Sequence, residues 1–319
     1  MKIPVIDLHC DLTYYLLDEP QASPLNPGIG CSIPHLKDGN VLAQVLGFFT
    51  PSEPVQHHIA RKQAEIFNTL LRDNGDDLEK YSAQDSSKVK IIAAIENASG
   101  FCHEDEKLAD GFKELETIIK LCGNLLYIGF MHWNENRFGG AAGNNTGLKD
   151  DGKVLLDYLN NRKIAVDLAH AGDNLISDIF NHVINNNLNI PLIASHSNFR
   201  EVWDHKRNLP DELAKEIIKR NGLIGINFMR DYLGKEPSSI IDHIEYGLKL
   251  GAEDVLAIGA DFFWDADKAA DRTYFKSYIS AATYPVLLEE ITRKFSLEIA
   301  EKIAYRNTQS YLTEYFNGT

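Results

Sequence analysis

The 319-residue sequence is poor in basic charge: 32 Lys and Arg stand against 46 Asp and Glu, a formal balance of −14. Phosphate backbones are bound by clustered cations, so a nucleic-acid partner is excluded. Long apolar runs are missing too. No stretch of about 18 apolar residues occurs, so no membrane span and no membrane partner is expected. Cysteine is scarce: Cys10, Cys31, Cys102 and Cys122 show no Cys-x-x-Cys pairing, and two of them lie in apolar runs. They read as free thiols of a reducing compartment. A strand-like run opens within a few residues of Met1 with no leader-like segment before it, so the cytoplasm is the expected location. There is no Gly-x-Ser-x-Gly elbow, P-loop or dinucleotide fingerprint, which removes the common serine-hydrolase and nucleotide chemistries. Repeats, low-complexity tracts and a Pro-, Gly- or Ser-rich linker are likewise absent.

What is present fits one large globular unit, residues 1–319, read as a single catalytic domain. Hydrophobic residues make up 44% and charged residues 24%, enough apolar material for a substantial core. Eight short, β-branched apolar runs recur: 5–11, 41–50, 89–97, 125–133, 164–170, 191–197, 223–228 and 255–262. Such uninterrupted runs suit parallel strands covered on both faces. Most gaps carry a helical pattern. Two stop at Gly75 and Gly123, and a third opens with Pro210 and two acids and closes on Lys219, Arg220 and Gly222. Eight strands with intervening helices predict a (β/α)8 barrel; a doubly wound open sheet is the alternative. Residues 12–40 read as a long connection without a clear helix, and 138–147 as a second, Gly-rich loop. Both follow strands, so a barrel puts them on the face where active sites form.

The polar residues gather at the strand ends. His9 and Asp11 are two apart, so strand alternation points both to one side. Glu96, His132, His170, His196 and Asp261 stand at or near the ends of five further runs. A carboxylate such as Glu96 after an apolar run is costly to bury unless paired or bound to a metal. Ala94, Ala194 and Gly259, each two residues earlier, leave room beneath a polar cluster. Six strands ending in His, Asp or Glu at one rim are hard to explain by packing. The other histidines considered, His57, His58, His103, His182, His205 and His243, read as surface residues. Imidazole and carboxylate donors without thiolate suit a catalytic zinc, or a pair of them, activating water. His9 and Asp11 then read as ligands of one metal.

At these residues the sequence resembles the membrane (renal) dipeptidase family of zinc peptidases, whose barrel belongs to the wider metal-dependent amidohydrolase group. The likeness runs nearly end to end. "DLHCD" stands where the family has Asp-Gly-His-x-Asp, "AAIENASG" holds its glutamate, and "GFMHWNENRFGG" is similar to its Leu-Thr-His/Trp-Asn motif. "KIAVDLAH" followed by "PLIASHSNFREVWDHKRNLPDE" is the most specific part. The resemblance implies two zinc ions per chain: His9 and Asp11 on one, His170 and His196 on the other, Glu96 bridging both. It implies that His132 contacts substrate and helps stabilise the oxyanion, that Arg207 holds the dipeptide carboxylate, and that Asp261 handles the proton passed to the leaving amine or contacts the substrate amine. It further implies attack by a metal-bridging hydroxide, tolerance of a D-residue at the carboxyl position, and a homodimer. Two departures stand out. "GADFFWD" keeps Asp261 but lacks the family's second Asp-Gly, and "AYRNTQSYL" keeps Asn307 without the paired glycines before it. Both alter loops beside the site. The rival functions are another amidohydrolase acting on a non-dipeptide amide or ester, and a barrel that retains ligands but only binds.

Overall fold

The computed structural model describes residues 3–51, 58–265 and 270–316. Eight parallel strands form the barrel: β1 Val5–Cys10, β2 Val41–Phe48, β3 Val89–Ile95, β4 Tyr127–Gly129, β5 Ala165–Asp167, β6 Leu192–Ile193, β7 Ile224–Ile226 and β8 Leu256–Ile258. Their spatial order follows the chain, with β1 between β2 and β8. The circle closes between β6 and β7 at one parallel bridge, Ala194 to Ile224, carried by Ala194 N to Leu223 O at 2.8 Å and Gly225 N to Ala194 O at 2.8 Å. The open-sheet alternative is thereby excluded. A short extra strand, Leu78–Lys80, pairs with β3 outside the circle and was not anticipated.

Each strand carries two apolar faces. Ile6, Leu8, Ala43, Val45, Ile92, Ala94 and Tyr127 fill the barrel interior, which Tyr311 and Leu312 also pack into. Val5, Leu46, Ile91 and Ile95 face outward onto the helices. The main helices are α1 Leu12–Asp18, α2 Ile33–Asp38, α3 Ile59–Asp73, α4 Leu108–Cys122, α5 Asp150–Leu159, α6 Asp173–Asn185, α7 Asp211–Lys219, α8 Ser239–Leu250 and α9 Tyr284–Lys294. Among the described residues no helix is long and apolar enough to cross a membrane.

Several expectations need correction. The connection 12–40 contains two helices, α1 and α2, and α1 is central to the site. Both glycine stops, by contrast, hold: α3 ends at Asp73 with Asn74 as its cap and Gly75 directly after it, and Gly123, left-handed (φ 81°), caps α4. The later strands are shorter than their apolar runs. His132, His170, His196 and Asp261 each lie three residues past a strand end, in the turn that follows. At His170 (φ 66°) and Asp261 (φ 63°) the backbone is left-handed, a conformation no strand continues through.

Candidate active site

His9 owes its direction to an irregularity, not to simple alternation. The β1–β2 register runs from Asp7 opposite Gln44 to Cys10 opposite Leu46, so three steps on β1 match two on β2. Such a bulge re-aims a side chain, and the His9 ring enters the barrel beside Gly47. A Cβ on Gly47 would sit 2.5 Å from His9 Cε1, so only glycine leaves the ring its place.

Around this ring the distant strand ends converge. His9 Nε2 lies 3.4 Å from Asp11 Oδ1, 3.5 Å from Glu96 Oε1 and 3.7 Å from Asp261 Oδ1. Glu96 Oε1 is also 3.0 Å from His170 Nε2 and 3.6 Å from His196 Nε2. Two groups with metal-ligand geometry share Glu96: His9, Asp11, Glu96 and Glu96, His170, His196, the candidate atoms of each within 4.8 Å of one another. A third, His9, His196 and Asp261, overlaps both. All six side chains are buried.

The donor set fits a metal on two observations. First, His9 Nε2, Asp11 Oδ1 and Glu96 Oε2 are buried without a hydrogen-bond partner, a costly state for polar atoms that nothing else engages. Second, the outer bonds turn imidazole lone pairs inward. Ser195 Oγ donates to Asp167 Oδ2 at 2.5 Å, so it accepts from His196 Nδ1 at 2.7 Å. Tyr127 Oη donates to Leu8 O at 3.0 Å, so it accepts from His9 Nδ1 at 2.7 Å. In the neutral rings both Nε2 atoms are therefore acceptors, and at His9 that position takes up a proton where no cation is held. With His196 Nε2 an acceptor, His170 Nε2 donates to it at 3.0 Å, and a bound cation would take the place of that proton.

The electrostatics agree. Burial first, and then the neighbouring Asp11, pushes Glu96 well above the usual carboxylate range. Burial and Asp11 push Asp261 up to about 6 against the opposing pull of His9. Burial alone would lower His9, but Glu96, Asp11 and Asp261 override it and push the ring up to about 10. His132, His170 and His196 are held well below the ordinary imidazole value, chiefly by burial. Three clustered carboxylates thus draw positive charge onto whatever sits among them, and a divalent cation meets that demand.

A cavity of about 310 Å³ opens over the cluster, lined in part by Asp11, Glu96, His132, His170 and Asp261. His132 packs between Phe49 and His170, with ring centroids at 4.7 and 4.2 Å. Asp261 accepts from Asn227 Nδ2 at 2.8 Å through Oδ2. Arg207 is buried beside the cavity without lining it, its guanidinium 5.4 Å from the Tyr232 ring centroid and its Nε without a partner. The structure therefore brings five of the eight expected site residues to the wall of one cavity, sets His9 and His196 against Glu96 beneath it, and buries Arg207 beside it.

Tyr127, Asp167, Ser195, Asn227 and Gly47 were missed from sequence. Only Asp167 carried a signal, a carboxylate inside an apolar run. Of the histidines expected at the surface, His243 is fully buried: its Nδ1 accepts from Phe199 N at 3.2 Å and its Nε2 donates to Leu233 O at 3.0 Å. It interrupts an amphipathic helix on the packed face, where both ring nitrogens find backbone partners. His58, His103, His182 and His205 are partly exposed, and His57 lies outside the described residues.

A closed parallel barrel with a buried imidazole–carboxylate cluster at the carboxyl ends of its strands defines a metal-dependent barrel hydrolase. Comparison with known proteins makes this specific. The sequence profile of the membrane dipeptidase family (peptidase family M19) matches residues 1–314, and the chain belongs to that family. It is therefore a dipeptidase of a metallopeptidase family. An uncharacterised protein in the pqqA 5′ region of Klebsiella pneumoniae is 28% identical over 240 residues, 66% of this chain and 81% of its own length. The fold matches a crystal structure of dipeptidase AC, an M19 metallopeptidase, with a TM-score of 0.84 at 19% identity over 100% of both chains. It equally matches a metallopeptidase from Rhodobacter sphaeroides bound to a phosphinate mimic of L-Ala-D-Ala, TM-score 0.84, 19% identity, over 99% of this chain and 100% of that one.

Proposed function

We propose that this chain, acting as one catalytic barrel, is a zinc-dependent dipeptidase that cleaves dipeptides and tolerates a D-residue at the carboxyl position. The observation that carries the reading is the pair of ligand groups sharing Glu96, ringed by orphaned donor atoms. His9 and Asp11 would hold one zinc, His170 and His196 the second, with Glu96 common to both. When bound, the metals supply Lewis-acid polarisation of the peptide carbonyl and a water nucleophile usable near neutral pH.

The remaining roles fall to the chain itself. His132, at the cavity wall and kept neutral by burial, donates a hydrogen bond toward the carbonyl oxygen. Asp261 has Oδ2 held by Asn227, which leaves Oδ1 to take a proton from the attacking water and return it to the leaving amine. Arg207 attracts the substrate carboxylate; its fork is suited to that group. The R. sphaeroides relative bound to an L-Ala-D-Ala mimic motivates the stereochemical part. Four free buried thiols favour a reducing compartment, and we place the protein in the cytoplasm. The family resemblance favours a homodimer, which sedimentation analysis checks.

The test is amino-acid release from L-Ala-D-Ala and L-Ala-L-Ala after chelation and after zinc return. Cleavage that vanishes, then returns with about two metals per chain, is the expected result. Two bound metals with no cleavage of either dipeptide would move another amidohydrolase activity to the front. Arg207→Ala should lower kcat/KM for dipeptides by about 10- to 100-fold, as for a lost charge-assisted hydrogen bond. A substrate without a carboxylate should be indifferent to that change.

A further inference from the structure

The cavity wall is strongly one-signed. Six carboxylates line it, from Asp11, Asp18, Glu19, Glu96, Asp261 and Asp265, and no Lys or Arg does so among the described residues. Three of these, Asp11, Glu96 and Asp261, belong to the cluster already described. The other three do not, and the cluster gives them no role.

Their placement follows from α1. Asp11, Tyr14, Tyr15 and Asp18 all line the cavity, at spacings of three, four and seven residues that put them on one face of a helix. From Asp11 to Asp18 the helix rises about 10 Å, seven steps of about 1.5 Å each. Asp18 and Glu19 therefore stand at the mouth, a long side chain's reach beyond the ligand cluster. Asp18 is exposed and Glu19 half-exposed. The turn after β8 adjoins α1, since β8 and β1 are neighbours. Tyr15 meets Trp264 with ring centroids 5.4 Å apart, and Asp265 lines the same side.

Opposite charge lies behind the far wall. Lys206 and Arg207 come from the turn after β6, three strands from β1, with Lys206 Nζ 5.9 Å from the Trp133 ring centroid. The mouth is thus polarised: cations beside β6, carboxylates and aromatic faces over β8 and β1. Asp18 and Glu19 share this cavity wall with the ligand carboxylates Asp11 and Glu96 and with the aromatic faces of Tyr14, Tyr15 and Trp264.

We propose that the Asp18–Glu19 mouth, with Tyr14, Tyr15 and Trp264, selects dipeptides whose amino-terminal residue carries a cationic side chain, lysine or arginine. This rests on the dipeptidase reading above. With the substrate carboxylate drawn toward Arg207, the amino-terminal side chain leaves the reacting centre along α1. Its aliphatic stem packs on the aromatic faces, while its charge reaches Asp18 and Glu19.

The test compares kcat/KM for L-Lys-L-Ala and L-norleucyl-L-Ala on the zinc-loaded enzyme. The two share an α-amine and a four-carbon side-chain stem and differ in the ε-ammonium. Preference for the lysyl substrate by about tenfold at low salt is expected, narrowing at about 0.5 M KCl as the field is screened. In the Asp18→Asn/Glu19→Gln variant the lysyl-to-norleucyl ratio should fall about three- to tenfold, as two partly exposed charge contacts are lost. Because the readout is a ratio within one preparation, misfolding or incomplete metal loading cancels. A wild-type ratio near or below one, or a ratio that the variant leaves unmoved, overturns the inference while the dipeptidase reading stands. No hydrolysis of either dipeptide, or of the alanyl dipeptides, overturns both.

Discussion

At the scale of single residues, the site depends on groups that never touch a substrate. Tyr127 and Ser195 each have one hydroxyl proton, given to Leu8 O and Asp167 Oδ2, and that choice sets the tautomers of His9 and His196. Tyr127→Phe and Ser195→Ala should therefore keep the fold and weaken zinc binding by about 10- to 100-fold, the usual cost of losing an outer-shell partner. Competition against a chelator of known affinity measures this without reference to turnover; unchanged affinity in both variants would remove His9 and His196 as ligands. Gly47→Ala should act by volume, because its Cβ lands on the His9 ring. Overpacking of this kind costs about 1–3 kcal/mol of stability, read from denaturant unfolding, with zinc affinity falling alongside. The ligand candidates were legible in sequence because each breaks an apolar run. Their supports were not, because the bond from His9 to Tyr127 spans 118 positions and a lone tyrosine or serine carries no periodic signal.

At the scale of elements, periodicity located all eight barrel strands but overran their ends. The apolar pattern continues into the turns, where left-handed His170 and Asp261 stop the ladder and swing their side chains over the cavity. Helix α1 was hidden for the opposite reason. It is only seven residues long and lies in a segment whose later prolines and glycines read as loop. His243 shows a third failure, a histidine on the packed face of α8 that joins this helix to the turn after β6 and to Leu233. Burial holds that ring down at about 4, so it stays neutral in the fold. Unfolded, it takes a proton below the ordinary value of about 6.5, so its stabilising contribution is complete above that pH and is lost as pH falls toward 4. Between pH 7.5 and 5 the wild type should lose about 2 kcal/mol more stability than His243→Gln, which can keep both hydrogen bonds without titrating. Equal losses in the two proteins, measured by urea unfolding at each pH, would mean that His243 charges within the native state.

At the scale of the whole molecule, the candidate ligands do more than assemble chemistry. They come from β1 and from the ends of β3, β5 and β6, so a metal pair held among them ties the barrel together across its mouth. The barrel is not equally strong around its circumference. Strands β2 and β3 share six consecutive register pairs, from Ala43 with Lys90 to Phe48 with Ile95. Closure between β6 and β7 has only the isolated Ala194–Ile224 bridge and the backbone bonds of Ala194, Ser197 and Gly225 N–H around it, beside Ser195 and His196; β1–β8 and β3–β4 share one register pair each. Removing metal should therefore act unevenly. At a free zinc level a hundred times Kd each occupied site adds about 2.7 kcal/mol, so emptying both by chelation should lower Tm by about 8 °C for a chain of this size. Amide exchange should quicken most at Ala194, Ser197 and Gly225, whose N–H groups bond across that closure, and least at β2 and β3. Exchange that speeds uniformly would mean that the metal stabilises the fold without clamping the seam. Exchange and Tm that ignore chelation would mean that no metal bound at the cluster contributes to the fold, and the clamping role assigned to the ligands around Glu96 would fall.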